Sequence, residues 1–191
     1  MASHEAQRLQ AQLRSLHEQV AGDGPPSIDA LRAGADQMAG LATAVEAVEL
    51  TEVDANGCAA IMHVPAKASR DRILMWTHGG GYNLGSARTH ERMSSHLAVA
   101  GGCPILNLDF RRAPEHPYPA AHQDALSAFQ WLVDHGHDPA TIAVGGDSAG
   151  GGLALSILLA LRDSGRHAGN LPEADETIAR IGAWLHRTLG R

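Results

Sequence analysis

The chain has 191 residues, 44% of them hydrophobic and 19% charged, which supports a buried core and excludes an intrinsically disordered chain. A formal net charge of −6 leaves no broad basic surface for a phosphate backbone, so no nucleic-acid partner is expected. Cys58 and Cys103 form no CxxC pair and suggest neither a disulfide scaffold nor a metal site. No apolar run approaches the ~18 residues of a membrane span, and the N-terminus lacks the basic stretch and apolar core of a signal peptide. The expected location is cytoplasmic.

Residues 4–20 carry Ala6, Leu9, Leu13, Leu16 and Val20 at helical spacing, and Gly22-Asp23-Gly24-Pro25-Pro26 stops that helix. Ser27 can cap a second helix with the stripe Ile28, Leu31, Ala35 and Met38. Residues 1–42 are therefore expected to form cap helices and residues 43–191 a core. Val45 to Val53 and Cys58 to Val64 flank Asn56-Gly57, a strong hairpin-turn signal. Three short apolar runs follow, Arg72 to Thr77, Cys103 to Leu108 and Thr141 to Val144, each suited to a strand buried on both faces. Helical patterns over Thr89 to Ala100 and Ala121 to His135 alternate with them. Strand, helix, strand, helix, strand predicts parallel βαβ units, so the fold class is α/β with a mostly parallel sheet.

Immediately after the Val144 strand comes Gly146-Asp147-Ser148-Ala149-Gly150, a G-x-S-x-G that opens the helical run Leu153 to Leu161. A sharp strand-to-helix turn strains its serine, and glycines at 146 and 150 let the turn close against its neighbours. Ser148 is then expected to stand exposed at a helix N-terminus, with the Ala149 N–H aimed at a developing oxyanion. The bland alternative is a plain glycine-rich loop; a phosphate-binding loop fits less well, because no lysine follows Gly150-Gly151-Gly152. Earlier, the Ile73 to Thr77 strand ends in His78-Gly79-Gly80-Gly81-Tyr82. Three consecutive glycines are entropically costly. A flexible loop leaves that cost unexplained, whereas close approach of the Gly80 and Gly81 amides to a substrate oxygen accounts for it. The third segment runs from Asp109 to Ala121, with three prolines that stiffen it and an expected Asp109–Arg111 pair.

Together, in this order and spacing, these segments resemble the hormone-sensitive-lipase-like family of α/β-hydrolase carboxylesterases, over roughly residues 25–165. The resemblance implies an α/β-hydrolase fold with an N-terminal hairpin and helical cap. It also implies Ser148 as nucleophile, Gly80, Gly81 and Ala149 as oxyanion donors, and His78, Gly79, Gly146, Asp147 and Gly150 as supporting motif residues. Tyr82 departs mildly from the bulky aromatic often found at its position, and Arg112 stands where an apolar residue is usual.

In that family the catalytic acid and histidine follow the serine on later turns. Here residues 149 to about 163 read as helix and Glu173 to Leu189 as another, which leaves no segment for later strands. The chain is expected to be truncated after the nucleophile helix, with a junction near 166–170. His167 lies beyond a helix whose ends are roughly 20 Å apart, and His186 reads as solvated. Asp163, Glu173 and Asp175 read as helix-terminal charges, so the catalytic acid and histidine are not identifiable. Among the 12 histidines, His135-Gly136-His137 completes no metal cluster, and no metal or cofactor is expected. Trp76, Trp131 and Trp184 read as packing residues. The expected function is hydrolysis of short acyl esters or lactones, so a small-molecule ester is the expected partner. The alternative is a non-catalytic binding or remnant protein without a general base. A strand edge left open after Val144 predicts a homo-oligomer.

Overall fold

The computed structural model describes residues 3–20, 25–40 and 42–165. The expected helix over 173–189, the junction near 166–170, and His167, Trp184 and His186 lie outside the described residues. Helix α1 is His4–Val20 and α2 is Ile28–Ala39; the Ser27 hydroxyl accepts the Ala30 N–H at 3.2 Å, the expected N-cap. Strand β1 (Val48–Ala55) turns at Asn56 and Gly57, both at positive φ, into β2 (Cys58–Pro65). There follow β3 (Ile73–Thr77), α3 (Glu91–Gly101), β4 (Ile105–Asp109), α4 (Ala120–Asp134), β5 (Ile142–Gly146) and α5 (Ala149–Asp163).

Among the described residues the strands form one sheet in the order β1-β2-β4-β3-β5. Pairing of β3 with β4 and with β5 is parallel, as βαβ units require, and the hairpin joins β4 antiparallel through β2. The sheet is thus mixed, with its parallel part confined to the three strands that follow the hairpin. One face carries Met75, Leu106, Leu108 and Ile142, buried against Phe129 and Leu132 of α4 and Leu153, Ile157 and Leu161 of α5. Alternate residues face α3, and that layer is more polar, with His63, Asn107, Ser94 and Ser95 all buried.

The expectation of burial on both faces fails for β5. Ile142 is buried but Ala143 is exposed, because β5 lies at the sheet edge and α3 packs mainly over β2 and β4. A second expectation is also corrected. Arg111 does not pair with Asp109; its guanidinium grips both oxygens of buried Asp124 on α4 at 2.7–3.1 Å, and its backbone N–H adds a bond at 2.7 Å. Asp109 instead accepts the Ala87 N–H at 3.3 Å. Arg111 lies two residues past the end of β4, where the chain passes Asp124 on the second turn of α4, whereas Asp109 is still within the strand.

Candidate active site

Register builds the site. Thr77 pairs with Gly146 and also with Leu108, so β3, β4 and β5 end level with one another. The residues that follow, His78-Gly79, Phe110-Arg111 and Asp147-Ser148, leave the sheet side by side.

Ser148 is exposed, directly before α5, at φ 50° and ψ −119°. That conformation is sparsely populated for a residue with a side chain, and it persists only where the surroundings enforce it. The enforcement is visible in the two flanking glycines. A Cβ at Gly146 would lie 2.4 Å from the Thr77 carbonyl oxygen, and one at Gly150 would lie 2.0 Å from the same oxygen. The buried Thr77 hydroxyl sits 2.8 Å from the Gly150 carbonyl and 3.1 Å from that of Gly145, stitching strand β3 to both sides of the turn.

The triple-glycine loop crosses this turn. Gly79 N–H donates to Asp147 Oδ1 at 2.9 Å, and a Cβ at Gly79 would collide with the same carboxylate at 2.1 Å. At the loop's far end the Tyr82 hydroxyl approaches Gly152 of α5, 3.6 Å from where a Cβ would stand. Gly80 and Gly81 lie between these anchors at φ 124° and 64°. At Gly80 only glycine fits, because a Cβ would meet the Leu84 carbonyl at 2.3 Å. Among the described residues neither the Gly80 nor the Gly81 N–H is spent on an intramolecular acceptor. Ala149 is the first residue of α5, where backbone N–H groups have no partner within the helix.

His78 is fully buried beneath the loop, stacked on Phe110 at 4.1 Å between ring centroids. Its Nδ1 donates to the Gly79 carbonyl at 2.8 Å, and burial pushes its pKa down to about 4. It is a neutral support for the loop. His90, unremarked in the sequence, places Nε2 3.5 Å from Asp147 Oδ1 and Nδ1 2.8 Å from the Thr89 hydroxyl. Asp163 is turned toward Arg162 at the end of α5, as a helix-terminal charge. Among the described residues no histidine hydrogen-bonds Ser148, and no group of three or more His, Cys, Asp or Glu gathers as metal ligands. Cys58 is buried and its thiol is pushed up to about 12, chiefly by that burial, which leaves it inert at neutral pH.

A cavity of about 370 Å³ opens beside the turn, walled by Tyr82, Tyr118, His116, His122, Leu153 and Ser156 among others. Leu153 sits five residues beyond Ser148 on α5, so the cavity begins roughly 7 Å along the helix axis from the serine.

A protein-family model described as alpha/beta hydrolase fold matches residues 74–179. The chain belongs to that family, in its hormone-sensitive-lipase-like branch. An acetyl-hydrolase of Streptomyces hygroscopicus is 48% identical over 94 residues, which are 49% of this chain and 31% of that protein. The Mycobacterium tuberculosis carboxylic ester hydrolase LipN is 39% identical over 110 residues, covering 55% of this chain and 29% of its own length. The crystal structure of an esterase from the bacterial hormone-sensitive lipase family superposes with a TM-score of 0.79 at 38% identity, over 87% of this chain and 55% of that one. The chain thus spans about a third of these curated hydrolases and about half of the solved esterase. Both stretches that build the turn and its crossing loop fall within the matched residues.

Proposed function

We propose that this chain carries the nucleophile and oxyanion half of a carboxylic-ester hydrolase acting on short acyl esters or lactones. One observation carries the reading: an exposed serine, held at strained positive φ before a helix, lies under a loop whose Gly80 and Gly81 amides are free to donate. The hydrolase names of the matched relatives support it.

Ser148 Oγ attacks the acyl carbon, and the negative charge that develops on the carbonyl oxygen is met by the N–H groups of Gly80, Gly81 and Ala149. Collapse breaks the bond to the alcohol and leaves acyl-Ser148, which water then cleaves. The serine proton needs an acceptor, and none of the described histidines is placed for it. His78 is buried with Nδ1 committed to Gly79, and His90 faces Asp147. The cavity beside Tyr82 is apolar enough for a small acyl or alcohol group.

Hydrolysis of a chromogenic short-chain ester, measured on the purified chain and on Ser148→Ala, tests this. With no described base to activate Ser148, turnover by the parent should be slow, and the part of it that passes through acyl-Ser148 should be lost in the variant. Equal turnover in the two proteins would remove Ser148 from the chemistry. Ester binding without turnover in either would favour the non-catalytic alternative.

A further inference from the structure

Arg32 of α2 sends four hydrogen bonds into the two loops beside Ser148. Its Nε donates to the Asn83 carbonyl at 2.9 Å and its Nη2 to the Ala113 carbonyl at 3.0 Å. The same guanidinium grips Glu115 with both outer nitrogens, at 2.7 and 2.8 Å. Between these two carbonyl contacts the loops bond to each other directly, Ala113 N–H to the Tyr82 carbonyl at 2.8 Å. Gly80, Gly81 and Tyr82 form an unbroken run at positive φ, and Tyr82, at φ 64°, has a side chain that disfavours it. A strained run of this kind holds its shape only when it is pinned from outside. The pins are the Tyr82–Ala113 bond and the Arg32 fork that spans its two sides.

We infer that Arg32 is a positioning residue: through Asn83 and Ala113 it holds the loop that aims the Gly80 and Gly81 N–H groups, and so makes the oxyanion site depend on the docking of α2. The inference rests on the reading of those two amides as oxyanion donors. Glu115 completes the device by fixing the plane of the guanidinium, so that one fork reaches two carbonyls on different loops. Lysine cannot replace it, because an ammonium is a point charge without that fork.

The test uses the full chain and its Arg32→Gln, Arg32→Lys and Glu115→Gln variants. Three quantities are read on each: the rate of covalent capture of Ser148 by a fluorophosphonate, amide hydrogen exchange across residues 79–85, and the thermal midpoint. Arg32→Gln should slow capture roughly tenfold to a hundredfold, by misplacing the donors rather than removing them. Exchange should speed up at Asn83 and Leu84, whose N–H groups bond the Gly80 carbonyl, with the midpoint within a few degrees of the parent. Arg32→Lys should not rescue capture, and Glu115→Gln, which keeps both carbonyl contacts, should fall between parent and Arg32→Gln. Capture and exchange at parental values in Arg32→Gln would overturn the inference. If the parent itself is not captured at Ser148, the proposed chemistry fails, and unchanged exchange at Asn83 and Leu84 in Arg32→Gln would then overturn the positioning role independently. Should Arg32→Gln unfold, Glu115→Gln decides: parental capture and exchange in it overturn the inference.

Discussion

Single atoms decide most of the site. A methyl group at Gly150 would fall 2.0 Å from a backbone oxygen that cannot retreat, so Gly150→Ala should cost more than about 3 kcal/mol. At Gly57 a Cβ meets nothing within 4 Å, and Gly57→Ala should cost only the left-handed backbone penalty, about 1 kcal/mol. Denaturant midpoints of the two variants check the contrast, and equal losses would mean that the turn relaxes around the added carbon. Two buried imidazoles set a pH dependence. His63 and His78 are each held down to about 4, in both cases chiefly by burial, against about 6.5 when unfolded. Below pH 6.5 the unfolded chain therefore takes up protons that the folded chain refuses. Stability present at pH 7 should drain away as pH falls from 6.5 to 4, by on the order of a few kcal/mol for the pair. A melting temperature constant across that window would contradict it. Gly146 and Gly150 were legible in the sequence because sterics alone dictates glycine at those two positions, and together they mark Ser148 between them. Arg32 was not: its partners lie 51, 81 and 83 positions away, and one arginine on an amphipathic helix looks like any solvated charge.

The helices and strands show where pattern reading succeeds and where packing overrides it. Hairpin, βαβ alternation and the Ser27 cap followed from turn chemistry and periodicity, which are local properties. The composition of the α3 layer did not, since His63, Ser94, Ser95 and Asn107 become neighbours only when α3 settles on β2 and β4. Two adjacent serines there have opposite roles. Ser95 Oγ donates to the Glu91 carbonyl at 2.9 Å and therefore accepts from His63 Nδ1 at 3.0 Å. Ser94 Oγ is equally buried, yet among the described residues it has no partner. Ser95→Ala should lose about 1 kcal/mol, while Ser94→Ala should be neutral or gain up to about 1 kcal/mol from shedding an unsatisfied hydroxyl and from better helix propensity. Matched thermal melts of the two variants would show the split, and equal destabilisation would mean that Ser94 has a partner after all. The Arg111–Asp124 clamp was half visible. Arg111 stood in the stiff third segment, but Asp124 lies three residues beyond it on α4, and only the path of the chain out of β4 decides which carboxylate the arginine meets.

At the scale of the molecule, β5 has a strand neighbour on one side only among the described residues, and Ala143 on it is exposed. The outer face of α5 adds Leu155 and Leu159, 46% and 41% exposed. An open apolar edge of this kind recruits other strands. Ala143→Lys should weaken self-association in sedimentation velocity while leaving the melting temperature nearly unchanged, and an unaltered association constant would place any contact elsewhere. No described helix is long and apolar enough to cross a membrane. The site and the wall of its cavity are built from different materials. Main-chain groups and glycines make up the turn and its crossing loop, whereas the cavity is bounded by side chains such as Tyr118, which stands 90% in solvent. Substitutions at Tyr118, His116 or His122 should therefore reshape the cavity while leaving the serine turn and its crossing loop untouched.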